Sequence, residues 1–383
     1  MRSVTVVGGS LAGLSAARAL RAAGFDGRVT VVGEERHRPY DRPPLSKELL
    51  SGRMAPADLA LEAEDDDLAV DWRLGERATA LRSGDRAVEL ANGTQLRSDG
   101  LVIATGARAR TLPFPCPQGV HTLRTATDAR YLREALKPGS RLAVIGAGFV
   151  GAEVASTARS MGVEVTLIDL EDVPLARVLG TDVGSILADL YRANGVDLRL
   201  GVGLGRFIVS SSGRLTGIEL TDGSTTECDT ALVAIGAAPS CDLLGDPREG
   251  IRTDACGRTE HPGIYACGDV AYSWRPSLSA HVRVEHWTSA AGQAAAVAHA
   301  ILGTERPYDE VPYFWSDQFG LRLQHVGHAE SPATTEIDAD ADGFTAWYRD
   351  ADGRLLAALA ANRPTAIGAL RRELAGEATA AAA

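Results

Sequence analysis

The chain has 383 residues, 45% hydrophobic and 23% charged, with 41 glycines and 5% aromatic side chains. That is room for about two to three soluble α/β domains, and it excludes a disordered or collagen-like chain. Thirty-nine basic against fifty acidic residues leave a net charge of −11, so phosphate backbones would repel the molecule as a whole, which argues against non-specific nucleic-acid binding and leaves room only for a locally basic face.

No run of about 18 apolar residues occurs, and apolar strand residues begin at Val4 with no leader before them, so the reading is a cytoplasmic chain without a membrane span. Cys116, Cys228, Cys241, Cys256 and Cys267 are scattered, with no C-x-x-C, which points to packed or incidental thiols.

In chain order, Val4–Val7 reads as a buried strand, Gly8 to Gly13 as a glycine turn, Leu14 to Ala23 as a helix stopped at Gly24, and Arg28 to Val32 as the second strand of a βαβ unit. Leu101 to Gly106 is an apolar strand ending in Thr-Gly. The opening device then recurs: a strand at Leu142–Ile145, a turn at Gly146 to Gly151, a helix at Ala152 to Met161 stopped at Gly162, and a strand at Val163 to Ile168. Ala231 to Gly236 echoes the Thr-Gly strand. Ser240 to Gly257 reads as turns, Gly263 to Cys267 as a strand leading into Gly268-Asp269, and Ser289 to Leu302 as a helix. Beyond Pro312 short alternating strands predict a separate α+β unit, with a frayed tail from Gly376. The expected fold class is α/β: two Rossmann-like domains, one spanning 1–110 and 237–310 and the other 111–236, plus a small α+β domain at 311–383.

A glycine turn between strand and helix lets backbone N–H groups and the helix N-terminus approach a pyrophosphate. The second copy carries the full fingerprint, Gly146, Gly148 and Gly151, and Asp169 follows at the end of the next strand, where a carboxylate meets a ribose hydroxyl and repels a 2′-phosphate. The first copy has Gly8 and Gly13 but Ser10 in the middle, with Glu34 at the corresponding strand end. Two dinucleotide sites imply two redox cofactors held together, FAD at the first and NAD at the second. Asp269 suits a ribityl hydroxyl, and a helix starting near Thr288 would present its positive end to a reduced flavin. Trp287 is placed either against that ring or in the core.

Three further segments, Pro39 to Lys47, Arg283 to Thr288 and Phe314 to Gln324, give the chain a resemblance along nearly its whole length to the oxygenase-coupled, putidaredoxin reductase-like ferredoxin reductases. The resemblance implies a glutathione reductase fold, FAD and NAD(H) as cofactors, and electron delivery to a ferredoxin that supplies a cytochrome P450 or other oxygenase. A rubredoxin reductase or NADH oxidase of the same fold is the alternative. By position it implies Gly8, Ser10, Leu11, Ala12, Gly13, Glu34, Arg42, Lys47, Ala78, Thr105, Gly106, Arg124, Gly268, Asp269, Glu285, His286 and Trp287 on the FAD side. On the NAD side it implies Gly146, Gly148, Phe149, Val150, Gly151, Glu153, Asp169, Arg177 and Gly236.

Lys47 and Glu153 are the candidate catalytic residues, expected to pair beside the flavin. No cysteine occurs in the Pro44-Leu45-Ser46-Lys47 segment, so disulfide chemistry is not expected there, and Cys267 reads as packing. His325 and His328 lack further ligands at metal spacing. The acidic run from Glu62 to Asp67 reads as a solvated loop. An acidic ferredoxin would need a local basic face, for which Arg275, Arg283, Arg306, Arg322 and Arg363 are candidates.

Overall fold

The computed structural model describes residues 1–62, 67–330 and 332–381. Glu64, Asp65 and Asp66 of the acidic run lie outside the described residues. The longer helices are α1 (Leu11–Ala22), α2 (Ala126–Ala135), α3 (Phe149–Ser160), α4 (Ala176–Ala193), α5 (Trp287–Ile301) and α6 (Pro364–Ala381).

Two parallel five-stranded sheets repeat one design. In the first, Ser3–Val7 is central, with Arg28–Gly33 and Val70–Leu74 on one side and Gly100–Ile103 and Ile264–Ala266 on the other. In the second, Arg141–Ile145 is central, flanked by Glu164–Ile168 and Val196–Arg199 and by Thr230–Val233 and Val120–His121. Central strands of such sheets are covered on both faces, which is why Val4 to Val7, like Leu142 to Ile145, are all buried. Helix α1 packs through Ala16, Ala17 and Leu20 beside Ala290, Ala294 and Val297 of α5, small residues that bring the two helices close. Pairing of Ile264–Ala266 with Gly100–Ile103 means that the first sheet is completed only after the second has been inserted.

The third sheet is antiparallel, in the order Tyr313–Gln318, Leu321–Gly327, Leu355–Ala361, Phe344–Arg349, Thr334–Ala339. Its inner strands are apolar on both sides because both sides are covered. Leu323, Ala357, Leu359 and Ala361 join the cluster of Leu179, Val183, Leu187 and Tyr191 on α4, while Val326, Ala358 and Ala360 meet Ile367, Leu370 and Leu374 of α6. Among the described residues no helix is long and apolar enough to cross a membrane.

The structure corrects several boundaries. Helices α1 and α3 begin three residues earlier than the apolar periodicity indicates, because Ser10 and Gly148 are themselves the N-caps and the last glycine of each turn is already helical. Helix α5 starts at Trp287 rather than Ser289. Ile251–Thr253 is a strand within the stretch read as turns, and α6 runs through the segment from Gly376 read as a frayed tail, helical to Ala381.

The third glycine of each turn is a packing requirement. A Cβ at Gly13 would stand 1.9 Å from the Gly8 carbonyl oxygen, and one at Gly151 would stand 2.0 Å from that of Gly146. Neither backbone atom can swing away. Gly13→Ala and Gly151→Ala are each expected to cost about 3 kcal/mol or more in thermal or urea unfolding; unchanged stability in either would mean the strand–helix contact is looser than described.

Candidate active site

One cleft runs across the carboxyl ends of the first sheet. Its first part, about 630 Å³, is lined by Gly8, Ser10, Glu34, Arg42, Ala78, Thr105 and Arg124. The second part, about 410 Å³, shares Ser10, Arg42, Thr105 and Arg124 with the first, and extends past Leu11, Ala12, Lys47, Gly106, Phe149, Val150 and Glu153 to Asp269, Glu285, His286 and Trp287.

The first turns of α1, α3 and α5 all meet this second part. Each lacks a side-chain cap and has no acidic residue in its first turn. Helix α2, by contrast, is capped: Thr125 and Asp128 close a reciprocal box on it, with the Asp128 N–H donating to Thr125 Oγ1 at 3.1 Å and the Thr125 N–H to Asp128 Oδ2 at 2.9 Å. Three uncapped N-termini leave N–H donors and positive dipole ends facing one cavity, an arrangement suited to an anionic ligand.

Glycine is not demanded by the chain itself at the middle position of either turn. Gly148 is extended (φ −77°, ψ −175°), and a Cβ there would meet no protein atom within 4 Å. Ser10 is extended too (φ −120°, ψ −159°), so a side chain is accommodated without strain, and its Oγ accepts from Arg42 Nε at 3.3 Å. By contrast Gly8 and Gly146 have φ of +129° and +109°, and a Cβ would meet the carbonyl oxygens of Ala104 and Ala234 at 2.0 and 2.4 Å.

The centre of the site is a buried ion pair. Lys47 Nζ lies 2.9 Å from Glu153 Oε2, both side chains being almost wholly enclosed. Glu153 is oriented by two hydroxyls: Ser46 Oγ donates at 2.5 Å and Ser316 Oγ at 2.7 Å. Ser316 in turn accepts from Gln318 Nε2 at 3.2 Å, and Gln318 Oε1 accepts from the buried Tyr191 hydroxyl. The loop, α3 and the C-terminal sheet are thereby joined at one carboxylate. Arg42 fixes the same loop from the other side, holding Glu35 at 2.6 Å and the Arg124 carbonyl at 2.6 Å, while Arg124 Nη2 pairs with Asp269 at 2.6 Å.

An aromatic wall backs the site. The Phe314 ring stands 4.7 Å from Phe149, 4.8 Å from His286 and 5.0 Å from His325, ring centre to ring centre. Burial pushes the His286 imidazole down to about 4 and that of His325 down to about 3, so both are neutral at pH 7. Burial likewise raises the Cys267 thiol to about 12, as befits a packed strand residue.

Other expected residues lie away from the cleft lining. Gly13 and Gly268 stand behind it, a Cβ at Gly268 falling 2.8 Å from that of Ala12. Gly146, Gly148 and Gly151 form the second turn, with Asp169 beside it accepting from the Ala147 N–H at 2.5 Å and the Glu171 N–H at 2.9 Å. Arg177 is exposed and pairs with Glu171 at 2.6 Å; Gly236 O accepts from the Arg110 N–H. Trp287 is 37% exposed at the cleft, not in the core. Four of the five candidate arginines do not form a free basic face. Arg275 is 1% exposed and donates to the Tyr308 carbonyl; Arg283 pairs with Glu285, Arg322 with Asp317, and Arg363 with Asp338 and Asp340. Ser46, Asp41, Phe314 and Ser316 also shape the site although sequence reasoning gave them no role; all four lie in motif segments, and only the fold shows what they touch.

Residues 2–294 match the pyridine nucleotide-disulphide oxidoreductase family and residues 313–383 a reductase C-terminal domain. The chain belongs to that oxidoreductase family. It is 37% identical to the ferredoxin–NAD(+) reductase subunit of a benzene 1,2-dioxygenase system from Pseudomonas putida, over 94% of this chain and 89% of that one. It is 36% identical to rhodocoxin reductase from Rhodococcus erythropolis, over 98% and 90%. Its fold superposes on putidaredoxin reductase, from the covalent complex with putidaredoxin, with a TM-score of 0.93 at 32% identity, over 97% and 93% of the two chains.

Removing one partner of a buried pair strands the other. Lys47→Met is expected to lower unfolding stability by about 3–5 kcal/mol, and Lys47→Met with Glu153→Leu to recover most of the loss, measured by urea denaturation; equal loss in both would show that the stranded Glu153 carboxylate is not the source of the cost. His325 gives a second test. Its native value near 3 lies below the ordinary 6.5, so the unfolded chain takes up a proton that the native one refuses, and stability falls as pH drops from 6.5 towards 3. His325→Phe should flatten that part of a melting-temperature profile, and an unaltered profile would contradict the assignment.

Proposed function

We propose that the chain is an FAD-dependent NADH:ferredoxin oxidoreductase that supplies electrons to a cytochrome P450 or another oxygenase. The observation that carries this reading is the convergence of three uncapped helix N-termini on one cleft with the Lys47–Glu153 pair in its wall. The names of the relatives support ferredoxin as the acceptor.

In this reading Gly8, Ser10 and Ala12 hold the FAD pyrophosphate, Glu34 and Ala78 the adenosine end, and Arg42, Arg124 and Asp269 the flavin nucleotide. Gly146 to Gly151 hold the NAD pyrophosphate, Asp169 the adenosine ribose and Arg177 its neighbourhood. The chemistry supplied by bound FAD is two-electron acceptance from NADH and one-electron release to an iron–sulfur protein.

The chain's own residues set the stage for it. Lys47 keeps a positive charge at the cleft that favours added negative charge, and Glu153 compensates it so that no net charge is enclosed. Ser46 and Ser316 hold Glu153 in one orientation. His286 stays neutral and takes no proton in the physiological range. Phe149 and Phe314 exclude water behind it. Asp169, already anchored to the glycine turn, repels a 2′-phosphate and so favours NADH over NADPH. Five free cysteines fit a cytoplasmic location.

Anaerobic titration of the purified protein tests the reading. The flavin bands are expected to bleach with stoichiometric NADH and to resist NADPH. Gly148→Ala should bind FAD normally but need about tenfold more NADH, since its added methyl occupies the space left for the pyrophosphate. A protein that stays colourless after FAD addition, or a coloured one that ignores NADH, would refute the assignment.

A further inference from the structure

Trp287, the first residue of α5, is large, apolar and 37% exposed at the cleft. An indole in that position loses side-chain freedom if it is to keep one orientation, so something must hold it. Its Nε1–H donates to Asp41 Oδ1 at 2.9 Å, joining positions 246 residues apart in the chain. Among the described residues Asp41 takes part in no ion pair, although Lys47 is close enough to lower its pKa. Its net shift is upward, because burial outweighs the indole hydrogen bond and Lys47, so the site holds a partly desolvated carboxylate whose principal side-chain partner is an indole.

The same cleft is lined by Phe149 and Val150, the first two residues of α3. That helix carries the second glycine turn. A dinucleotide held at Gly146 to Gly151 would thus have its planar ring enter a cleft that these two apolar residues and the indole all line.

Resting on the function proposed above, we propose that Asp41 is a positioning residue: its carboxylate fixes Trp287 as one wall of the slot that admits the nicotinamide ring of NADH, and so sets affinity for NADH rather than turnover. Loop Pro39 to Lys47 then serves both sides of the slot, through Asp41 to α5 and through Lys47 to α3. The indole N–H is the necessary feature of Trp287, because an aromatic ring without it has nothing to offer the carboxylate.

Asp41→Ala is expected to raise KM for NADH about tenfold, the loss of one hydrogen bond to a charged group, with kcat held within about twofold. Trp287→Phe breaks the same contact from the other side and should give a similar rise. The double variant should be no worse than either single one, since both remove one interaction. A readout independent of turnover is acrylamide quenching of tryptophan fluorescence in protein without nucleotide: Asp41→Ala should increase quenching in the parent and leave it unaltered in the Trp287→Phe background. Additive effects on KM in the double variant, or quenching insensitive to Asp41→Ala, would overturn the proposal. If NADH fails to bleach the parent flavin, the functional reading falls, while the quenching experiment still decides whether Asp41 holds the indole.

Discussion

Everything in the cleft is organised around one carboxylate. Glu153 is enclosed, charged and satisfied by three donors drawn from two separate parts of the chain: Lys47 and Ser46 from an early loop, and Ser316 from the last sheet. A buried charge with fewer partners would be costly, so each donor must be present for the others to be tolerable. This requirement fixes the relative placement of α3, the Pro39 to Lys47 loop and the antiparallel sheet more tightly than apolar contact alone would. Thr157 adds a further tie on the same side, its hydroxyl donating to the Ser46 carbonyl at 2.8 Å.

The repeated βαβ device was legible because its signals are local. Glycines with positive φ, an unbroken apolar strand and an alanine-rich helix all fall within about thirty residues, and backbone sterics alone dictate the first and third glycines. Substitution at Ser10 was readable as a departure from the fingerprint, but not the unstrained backbone that accepts it, which is extended and gives the hydroxyl Arg42 as a partner. Helix starts were misplaced for a related reason: periodicity registers only where side chains are buried, and the first turns of α1, α3 and α5 face the cleft instead.

What sequence could not reveal was contact between distant segments. Lys47 and Glu153 were paired on the strength of their motifs, yet nothing in the sequence indicated Ser316 as the second hydroxyl on Glu153 or Asp41 as the partner of Trp287. Arg275 shows the converse error. Beside flavin motifs in sequence it passes for a surface cation, whereas the strand that carries it turns the guanidinium inward over the Tyr308 ring, 4.2 Å from its centre. Proximity along the chain says nothing about which way a strand residue points.

The late origin of Ser316 bears on the order in which the molecule is made. During synthesis the second sheet, including α3 and Glu153, can form as soon as residues up to Val233 have emerged, and Lys47 is available long before that. The first sheet must wait for Ile264–Ala266, and the hydroxyl that completes the carboxylate's shell arrives only with the strand Tyr313–Gln318. A chain still on the ribosome thus carries both nucleotide turns while its central charge remains under-coordinated. The cleft is therefore completed only when the last sheet begins to form, well after both glycine turns have been made.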